Sequence, residues 1–439
     1  MKPILALLAA WMVAAVPAWA EIEIQDVTSP GGVHAWLVEE HSIPFVALEI
    51  RFRGGTSLDA EGKRGAVNLM TGLIEEGAGD MDARAFARAQ ESLAASFSFG
   101  AGDDSVSVSA QFLTENRDRA IDLLRTALHR PRFDQDALER VRAQVMSGLM
   151  SDAKDPGTIA GRTFAKIAYG DHPYGSDGKG TLQSVAALSR EDIVAAHRGV
   201  FARDRLYVGA VGDITAEELG MMLDDLLSGL PATGAPFPGK ADVTIPGGVR
   251  VVEFDTPQSV AVFGQKGIER HDDDFFAAYV MNQILGAGGF ESRLMQEVRE
   301  KRGLTYGVYS YLVPRDLAAV YMGNVASAND RIAEAISVIR DEWARMAAGG
   351  VTEKELEDAK TYLTGAYPLR FDGNSRIAGI LVGMQMDELP IDYIATRNDK
   401  VNAVTLADIR RVAAELLDPE GLLFVVVGRP EGLEGTQTN

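Results

Sequence analysis

The chain repeats one structural plan twice. The apolar segments FVALEIRF at residues 45–52 and SVAVF at residues 259–263 each precede a segment with helical periodicity. Each half also closes on a β-rich run that ends in glycine, LYVGAVG at residues 206–212 and LLFVVVG at residues 422–428. The corresponding positions in both pairs lie about 215 residues apart, which indicates a tandem repeat of about 200 residues. The chain is therefore expected to fold as two homologous units.

The pattern within each half predicts an α+β fold. Apolar residues alternate along the strand-like segment 105–112, and segment 94–99 before it has hairpin character. Four long segments have helical periodicity, at residues 117–128, 135–150, 329–348 and 353–367. Such interspersion predicts two halves of antiparallel sheet packed with helices. The stretch at 230–239 is rich in Pro and Gly. We therefore predict an N-terminal domain at 21–229, a linker at 230–246 and a C-terminal domain at 247–439.

The N-terminus predicts export. Residues 1–20 carry Lys2, an apolar run and the small-residue ending AWA, which is typical of a cleaved signal peptide. A single N-terminal membrane anchor is the alternative. No cysteine is present to take a lipid, so we expect a periplasmic protein without a membrane anchor.

Composition limits the partners and the chemistry. The formal net charge of −20 argues against nucleic acid as a partner. The absence of cysteine excludes disulfides, thiolate zinc sites and thiol catalysis.

The most specific motif is LGAGGFESRLMQEVREKRGLTYGVY at residues 285–309. A glycine-rich loop leads into a predicted helix from about Ser292 to Lys301, Gly303 ends it, and a strand is expected to start near Thr305. The whole segment resembles the C-terminal half of the pitrilysin/insulinase family of zinc peptidases, which includes mitochondrial processing peptidase. That resemblance implies a clam-like chamber formed by the two halves.

The resemblance also implies roles for single residues. In that family an arginine near the end of the helix and a tyrosine seven positions later reach the zinc site, and the matching positions are Arg299 and Tyr306. A tyrosine hydroxyl can donate to the oxyanion that forms when water attacks a peptide carbonyl, and arginine can hold substrate carbonyls. Gly286, Gly288 and Gly289 of the loop are the candidate substrate-binding positions. The alternative is that Arg299 belongs to a solvated face and that Tyr306 is an ordinary strand aromatic.

The zinc half of the apparatus is missing. The family motif is His-x-x-Glu-His on a helix of the first half. The matching segment, GAVNLMTGLIEEG at 65–77, places Asn68, Thr71 and Gly72 at those positions, and none of them can ligate zinc or activate water. The helix expected to supply the third ligand has no glutamate between Glu139 and Glu191. None of the six histidines forms a helical pair with another: His34, His41, His129, His172, His197 and His271.

Two functional hypotheses follow. The first is the zinc-free subunit of a two-chain periplasmic metallopeptidase, inactive alone, which supplies Arg299 and Tyr306 to a partner bearing His-x-x-Glu-His. In it, this chain binds no cofactor, the partner holds zinc, and the substrate is an unfolded peptide added to a sheet edge. The second is a non-catalytic peptide-binding or scaffold protein derived from the same fold. A protease active on its own is disfavoured by the residues at the zinc positions.

Overall fold

The computed structural model describes residues 22–433 and 436–437. The predicted signal peptide at 1–20 lies outside the described residues. The described part of the first half contains eight strands: β1 Gln25–Thr28, β2 His34–Glu39, β3 Phe45–Arg53, β4 Gly77–Ala78, β5 Met81–Asp82, β6 Ser96–Ala101, β7 Ser105–Leu113 and β8 Leu206–Gly212. Its helices are α1 Ala66–Thr71, α2 Ala83–Ser92, α3 Arg117–His129, α4 Gln135–Asp152, α5 Pro156–Tyr169, α6 Leu182–Ala187, α7 Arg190–Val200 and α8 Ala216–Leu227.

The second half follows the same alternation. Its strands are β9 Gly248–Glu253, β10 Gln258–Lys266, β11 Val308–Pro314, β12 Ala319–Ala328, β13 Leu423–Gly428 and β14 Thr436–Gln437. Its helices are α9 Phe275–Asn282, α10 Ile332–Ala347, α11 Glu353–Ala366, α12 Asn374–Met386, α13 Tyr393–Ala403 and α14 Leu406–Leu416. Two π-helical segments, Gln283–Ala287 and Met295–Glu300, lie between α9 and β11.

Apart from the edge strands β1 and β14, the two main sheets share one topology. The first has the strand order β1-β2-β8-β3-β7-β6, and the second has the order β14-β9-β13-β10-β12-β11. In each, the long central strand pairs antiparallel with the closing apolar strand: Val46 lies opposite Gly212, and Val260 opposite Val427. One feature differs from the prediction of antiparallel sheets, because β2 with β8, β9 with β13 and β14 with β9 are parallel pairs. The expectation of an α+β protein with two homologous halves is confirmed.

Each half places one helix on the sheet of the other half. Helix α5 of the first half packs on β10 and β13, where Phe164 lies in one apolar cluster with Val262 and Val425. Helix α12 of the second half packs on β3 and β8, where Ala378 and Leu381 contact the first sheet. Burying apolar side chains of one half against the other is favourable by roughly 25 cal/mol per Å². The reciprocal exchange of helices therefore holds the two halves together.

The predicted secondary structure agrees well with the observed elements. The four long helical segments correspond to α3, α4, α10 and α11, and β6 pairs antiparallel with β7 as a hairpin, with Ser96 opposite Gln111. The predicted linker at 230–246 contains neither helix nor strand, although Ala241 N donates to Leu317 O at 2.9 Å. The motif helix was predicted to be longer than it is: it ends at Thr71, because Gly72 follows as its cap and turns lead on to β4. Across the described part of the chain, no helix has the length and apolarity needed to cross a membrane.

Candidate functional site

The glycine loop and the segment after it form an unusually wound region. Two π-helical stretches enclose the loop, Gln283–Ala287 before it and Met295–Glu300 after it. At the end of the second stretch Leu304 N donates to Val298 O at 2.9 Å, and Gly303 takes a positive φ of 60°. Single π-helical turns interrupt regular helix hydrogen bonding and are frequent at functional sites. The region therefore has the backbone character expected of a site.

Tyr306 projects into solvent from a fixed backbone. Its side chain is 88% exposed, more than that of any other large apolar or aromatic residue described. On one side, Thr305 Oγ1 donates to Ala326 O of β12 at 2.6 Å; on the other, Gly307 N donates to Thr305 Oγ1 at 3.0 Å. The strand begins only at Val308, two residues later than Tyr306. Tyr306 is thus not an ordinary strand aromatic, and its hydroxyl has no hydrogen-bond partner within residues 22–433.

Arg299 lies on an aromatic support. Its guanidinium carbon is 4.5 Å from the ring centroid of Phe290, and its Nη1 is 2.6 Å from Glu300 Oε1. Phe290 itself is 59% exposed, so the stacked pair lies at the surface. Arginine retains donors for a ligand when it stacks on a ring, because its planar face and its N–H edge serve different contacts. Arg299 is consequently oriented but not buried, and it remains open to a peptide or a partner chain.

Exposed aromatic residues surround these positions. Phe290, Tyr306, Tyr309 and Tyr311 are all more than a third exposed, and we call them the aromatic patch. Tyr309 and Tyr311 alternate along β11, which is an edge strand of the second sheet. An edge strand has unpaired N–H and C=O groups that can accept a further extended chain. The sequence prediction had missed Phe290, Tyr309 and Tyr311, although the alternation from 308 to 311 was a usable signal.

The three loop glycines have different surroundings. A Cβ at Gly286 would collide with Ser310 Oγ and the Ser310 backbone N on β11, and a Cβ at Gly288 would lie 2.6 Å from Gln283 O. Gly289 has a φ of 56° and open space where a Cβ would be. Close backbone packing therefore explains Gly286 and Gly288, and only Gly289 faces open space. Substrate binding by these glycines stays a prediction.

The residues at the positions of the zinc motif are not zinc ligands. Thr71 is buried, and its Oγ1 donates to Asn68 O at 2.9 Å within the helix. Gly72 lies against α4, since a Cβ there would be 3.1 Å from Val141 Cγ1. The helix of the expected third ligand thus packs beside the motif with an apolar contact in place of a carboxylate. Among the described residues, no group of three or more His, Asp or Glu side chains is arranged to hold a metal ion.

The histidines do not replace the missing ligands. His172 accepts from Tyr174 N at 3.2 Å and lies 3.0 Å from Gly239 O, so its ring fixes a turn of this loop. His197 is packed against Phe133 and lies 2.8 Å from Leu128 O, and burial lowers the pKa of His197 to about 4. Both side chains therefore have structural partners.

Fold and site together define a two-half metallopeptidase homologue whose zinc positions are vacant and whose arginine and tyrosine positions are occupied and exposed. Comparison with known proteins agrees. Residues 187–363 match the family model described as the peptidase M16 inactive domain. The chain is thus similar to the M16, or pitrilysin, family, and its own sequence lacks the zinc motif.

Individual relatives extend this result to most of the chain. It is 26% identical over 390 residues to the "Non-peptidase homolog YmxG" of Helicobacter pylori, covering 89% of this chain and 90% of that protein. An "Uncharacterized zinc protease" of Streptomyces coelicolor is 25% identical over 420 residues, covering 92% of this chain and 89% of the relative. The crystal structure of a peptidase M16 inactive domain from Pseudomonas fluorescens superimposes with a TM-score of 0.87 and 29% identity, covering 94% of this chain and 99% of that one.

A more distant structure shows the same fold. The crystal structure of a protease from Helicobacter pylori has a TM-score of 0.83 at 17% identity, covering 93% of this chain and 100% of that chain. The predicted fold class is therefore confirmed over nearly all described residues.

Proposed function

We propose that this chain is the zinc-free subunit of a two-chain periplasmic metallopeptidase. It presents Arg299 and Tyr306 to a homologous subunit that carries His-x-x-Glu-His and zinc. The observation that carries the proposal is Tyr306, whose hydroxyl is almost fully exposed on a rigid backbone and has no intramolecular partner among the described residues. An exposed aromatic side chain held in one place is typical of a residue that contacts another molecule.

The chemistry divides between the two chains. Zinc, held by the partner, would supply an activated water and polarise the peptide carbonyl. Tyr306 would donate a hydrogen bond to the oxygen that gains negative charge, and Arg299, oriented by Phe290, would hold a neighbouring substrate carbonyl. The peptide would lie along β11 as an added strand, with its side chains against the aromatic patch.

A second candidate function is a non-catalytic peptide-binding or scaffold protein. The specific observation in its favour is the description of the Helicobacter pylori relative as a non-peptidase homologue, at 26% identity. In that case the edge strand and aromatic patch would bind peptide, and neither Arg299 nor Tyr306 would affect any hydrolysis.

One reconstitution experiment separates the two candidates. The purified chain is mixed with a zinc-bearing M16 subunit from the same genome, and cleavage of an unstructured fluorogenic peptide is followed. We expect activity only in the mixture. Tyr306→Phe should lower kcat by about 10²–10³, because it removes one oxyanion donor. Tyr362→Phe is the matched control, since Tyr362 is 60% exposed on α11 and lies outside the aromatic patch.

The outcomes are distinct. Equal activity of the Tyr306→Phe and Tyr362→Phe mixtures, with peptide binding retained, would favour the scaffold function. Activity of the chain alone, or stoichiometric zinc in the isolated chain by metal analysis, would refute the subunit proposal. Export is tested separately, by fractionating cells that express the full chain and determining the N-terminal residue of the mature product.

A further inference from the structure

The second half contains a pocket that the proposed peptidase role does not use. It has a volume of about 420 Å³ and lies among helices α9, α12 and α13 and the segment that follows α11. Its walls are mainly aromatic rings and arginines, including Arg270, Tyr279, Tyr367, Tyr393 and Arg397. Four arginines line this one cavity, in a chain whose formal net charge is −20.

Arg397 is a buried cation without a counterion. It is only 4% exposed, and no carboxylate of residues 22–433 lies within ion-pair distance of it. Its Nη1 donates to Leu363 O at 2.8 Å and to Asn398 Oδ1 at 2.9 Å, and its Nη2 donates to Tyr279 OH at 3.1 Å. A guanidinium has five N–H donors, so two of them lack a protein acceptor. A buried charge is normally paired, and this one is held in place with donors to spare.

Tyr367 supplies a second free donor to the same cavity. Its ring covers the Arg397 guanidinium at 4.4 Å from carbon to ring centroid, and the residue is 8% exposed. Its hydroxyl has no hydrogen-bond partner in the part of the chain that the structure describes. Burial, with the nearby Tyr393, raises the pKa of Tyr367 to about 12, against the opposing effect of Arg397. The hydroxyl therefore stays protonated at neutral pH and can donate a hydrogen bond to an acceptor.

The mouth of the pocket adds further positive charge. Arg370 and Arg376 line the cavity and form no ion pair within the described residues. The one acidic side chain of the lining, Asp387, is already engaged by Arg270, with Nε 3.6 Å from Oδ2. The field inside the cavity thus favours an anion, while the aromatic walls favour an apolar or aromatic group attached to it.

We propose that this pocket binds the C-terminal carboxylate of a peptide whose last residue is aromatic or large and apolar. The carboxylate accepts from the free donors of Arg397 and from the Tyr367 hydroxyl, and the side chain packs on the aromatic walls. The terminus of a peptide brings both an anion for the guanidinium and an apolar side chain for the aromatic walls, whereas inorganic phosphate has no apolar group to place there. A second cavity of about 530 Å³ shares Arg270 and Tyr393 with the first and gives room for the preceding residues. The site goes beyond the proposed peptidase role and needs no partner chain.

The test compares two peptides that differ only in their terminal charge. N-acetyl-Ala-Phe with a free carboxylate and its C-terminal amide are titrated into the full chain by calorimetry. We expect the acid to bind at least about tenfold more tightly than the amide, since a charge-assisted hydrogen bond contributes about 1.5–3 kcal/mol. Tyr367→Phe should weaken binding of the acid by about fivefold and leave binding of the amide unchanged. Tyr362→Phe is the matched control, because Tyr362 lies on α11, just before Tyr367 in the chain, and outside the pocket.

Arg397→Gln should abolish the preference for the acid. If that variant fails to fold, the double variant Arg370→Gln with Arg376→Gln replaces it. The double variant should bind the acid peptide more weakly and still fold, because both residues are exposed. Equal binding of acid and amide, or no saturable binding of either, would overturn the proposal. Displacement of the acid by inorganic phosphate at lower concentration than by acetate would also overturn it, because the site would then select phosphate.

Discussion

The contact between the halves contains a carboxylate whose ionisation opposes stability. Asp316 of the second half lies 3.2 Å from Nε of Arg53, which comes from β3 of the first half. Burial raises the pKa of Asp316 to about 6 from 3.8, although Arg53 acts to lower it, and the nearby Asp104, Asp387 and Glu388 raise it further. Asp316→Asn removes the charge and keeps an oxygen that can accept from Arg53. The substitution therefore isolates the effect of ionisation.

The sign and size of the effect follow from the pKa. The folded state holds the proton of Asp316 more tightly than the unfolded chain, so stability falls as pH rises from about 4 to about 6. A shift of about 2 units corresponds to about 3 kcal/mol. The side chain is 29% exposed, and solvent screening reduces the expected value to about 1–2 kcal/mol. Asp316→Asn should thus be more stable than the native chain at pH 7.5 by that amount, and equal to it near pH 4.

Urea unfolding at pH 4 and pH 7.5 measures the difference, followed by the fluorescence of Trp343, which is fully buried in the second half. Asp255→Asn is the control, since Asp255 is 84% exposed and its ion pair with Arg429 should contribute little at either pH. A variant that is less stable than the native chain at pH 7.5, or a difference that does not change with pH, would refute the reasoning.

Three further predictions concern the packing and the ion pairs. Phe164→Ala should destabilise the protein by about 3–5 kcal/mol, because the ring is 1% exposed, and should speed hydrogen exchange in β10 and β13 of the other half. Gly286→Ala should lower the urea midpoint by the equivalent of about 1–3 kcal/mol, because the new methyl group would strike Ser310. Burial alone would raise the pKa of Glu355, but the paired bonds from Arg293 hold it at about 2. Glu355→Gln should therefore lower the free energy of unfolding by about 1–3 kcal/mol at pH 7. In urea titrations this difference from the native chain should disappear as pH falls from 4.5 towards 2.

Several features were predictable because they depend on local sequence. The four long helices appear within a few residues of their predicted limits, since their apolar periodicity agrees with the faces they bury. The tandem repeat predicted two sheets of like topology. The loss of zinc binding could be inferred from Asn68, Thr71 and Gly72 alone, because ligand chemistry depends on side-chain type.

Other features depend on contacts between distant segments. The exchange of α5 and α12 between the halves cannot be inferred from periodicity, since an amphipathic helix shows which face it buries but not against which sheet. The exposure of Tyr306 depends on where β11 begins, and that boundary is set by pairing with β12.

The sequence by itself determined the fold class, the repeat and the absence of zinc ligands, because these follow from residue type and local period. Only the tertiary structure decided which groups stay unpaired. Among the described residues, Tyr306 has no hydrogen-bond partner, because its neighbours Thr305 and Gly307 fix the backbone and leave the side chain in solvent. Arg397 has hydrogen-bond partners but no counterion, because none of the described segments that enclose it brings a carboxylate within ion-pair distance. Whether a polar group finds a hydrogen-bond or ion-pair partner depends on every segment that packs around it, and a sequence pattern does not show which segments those are.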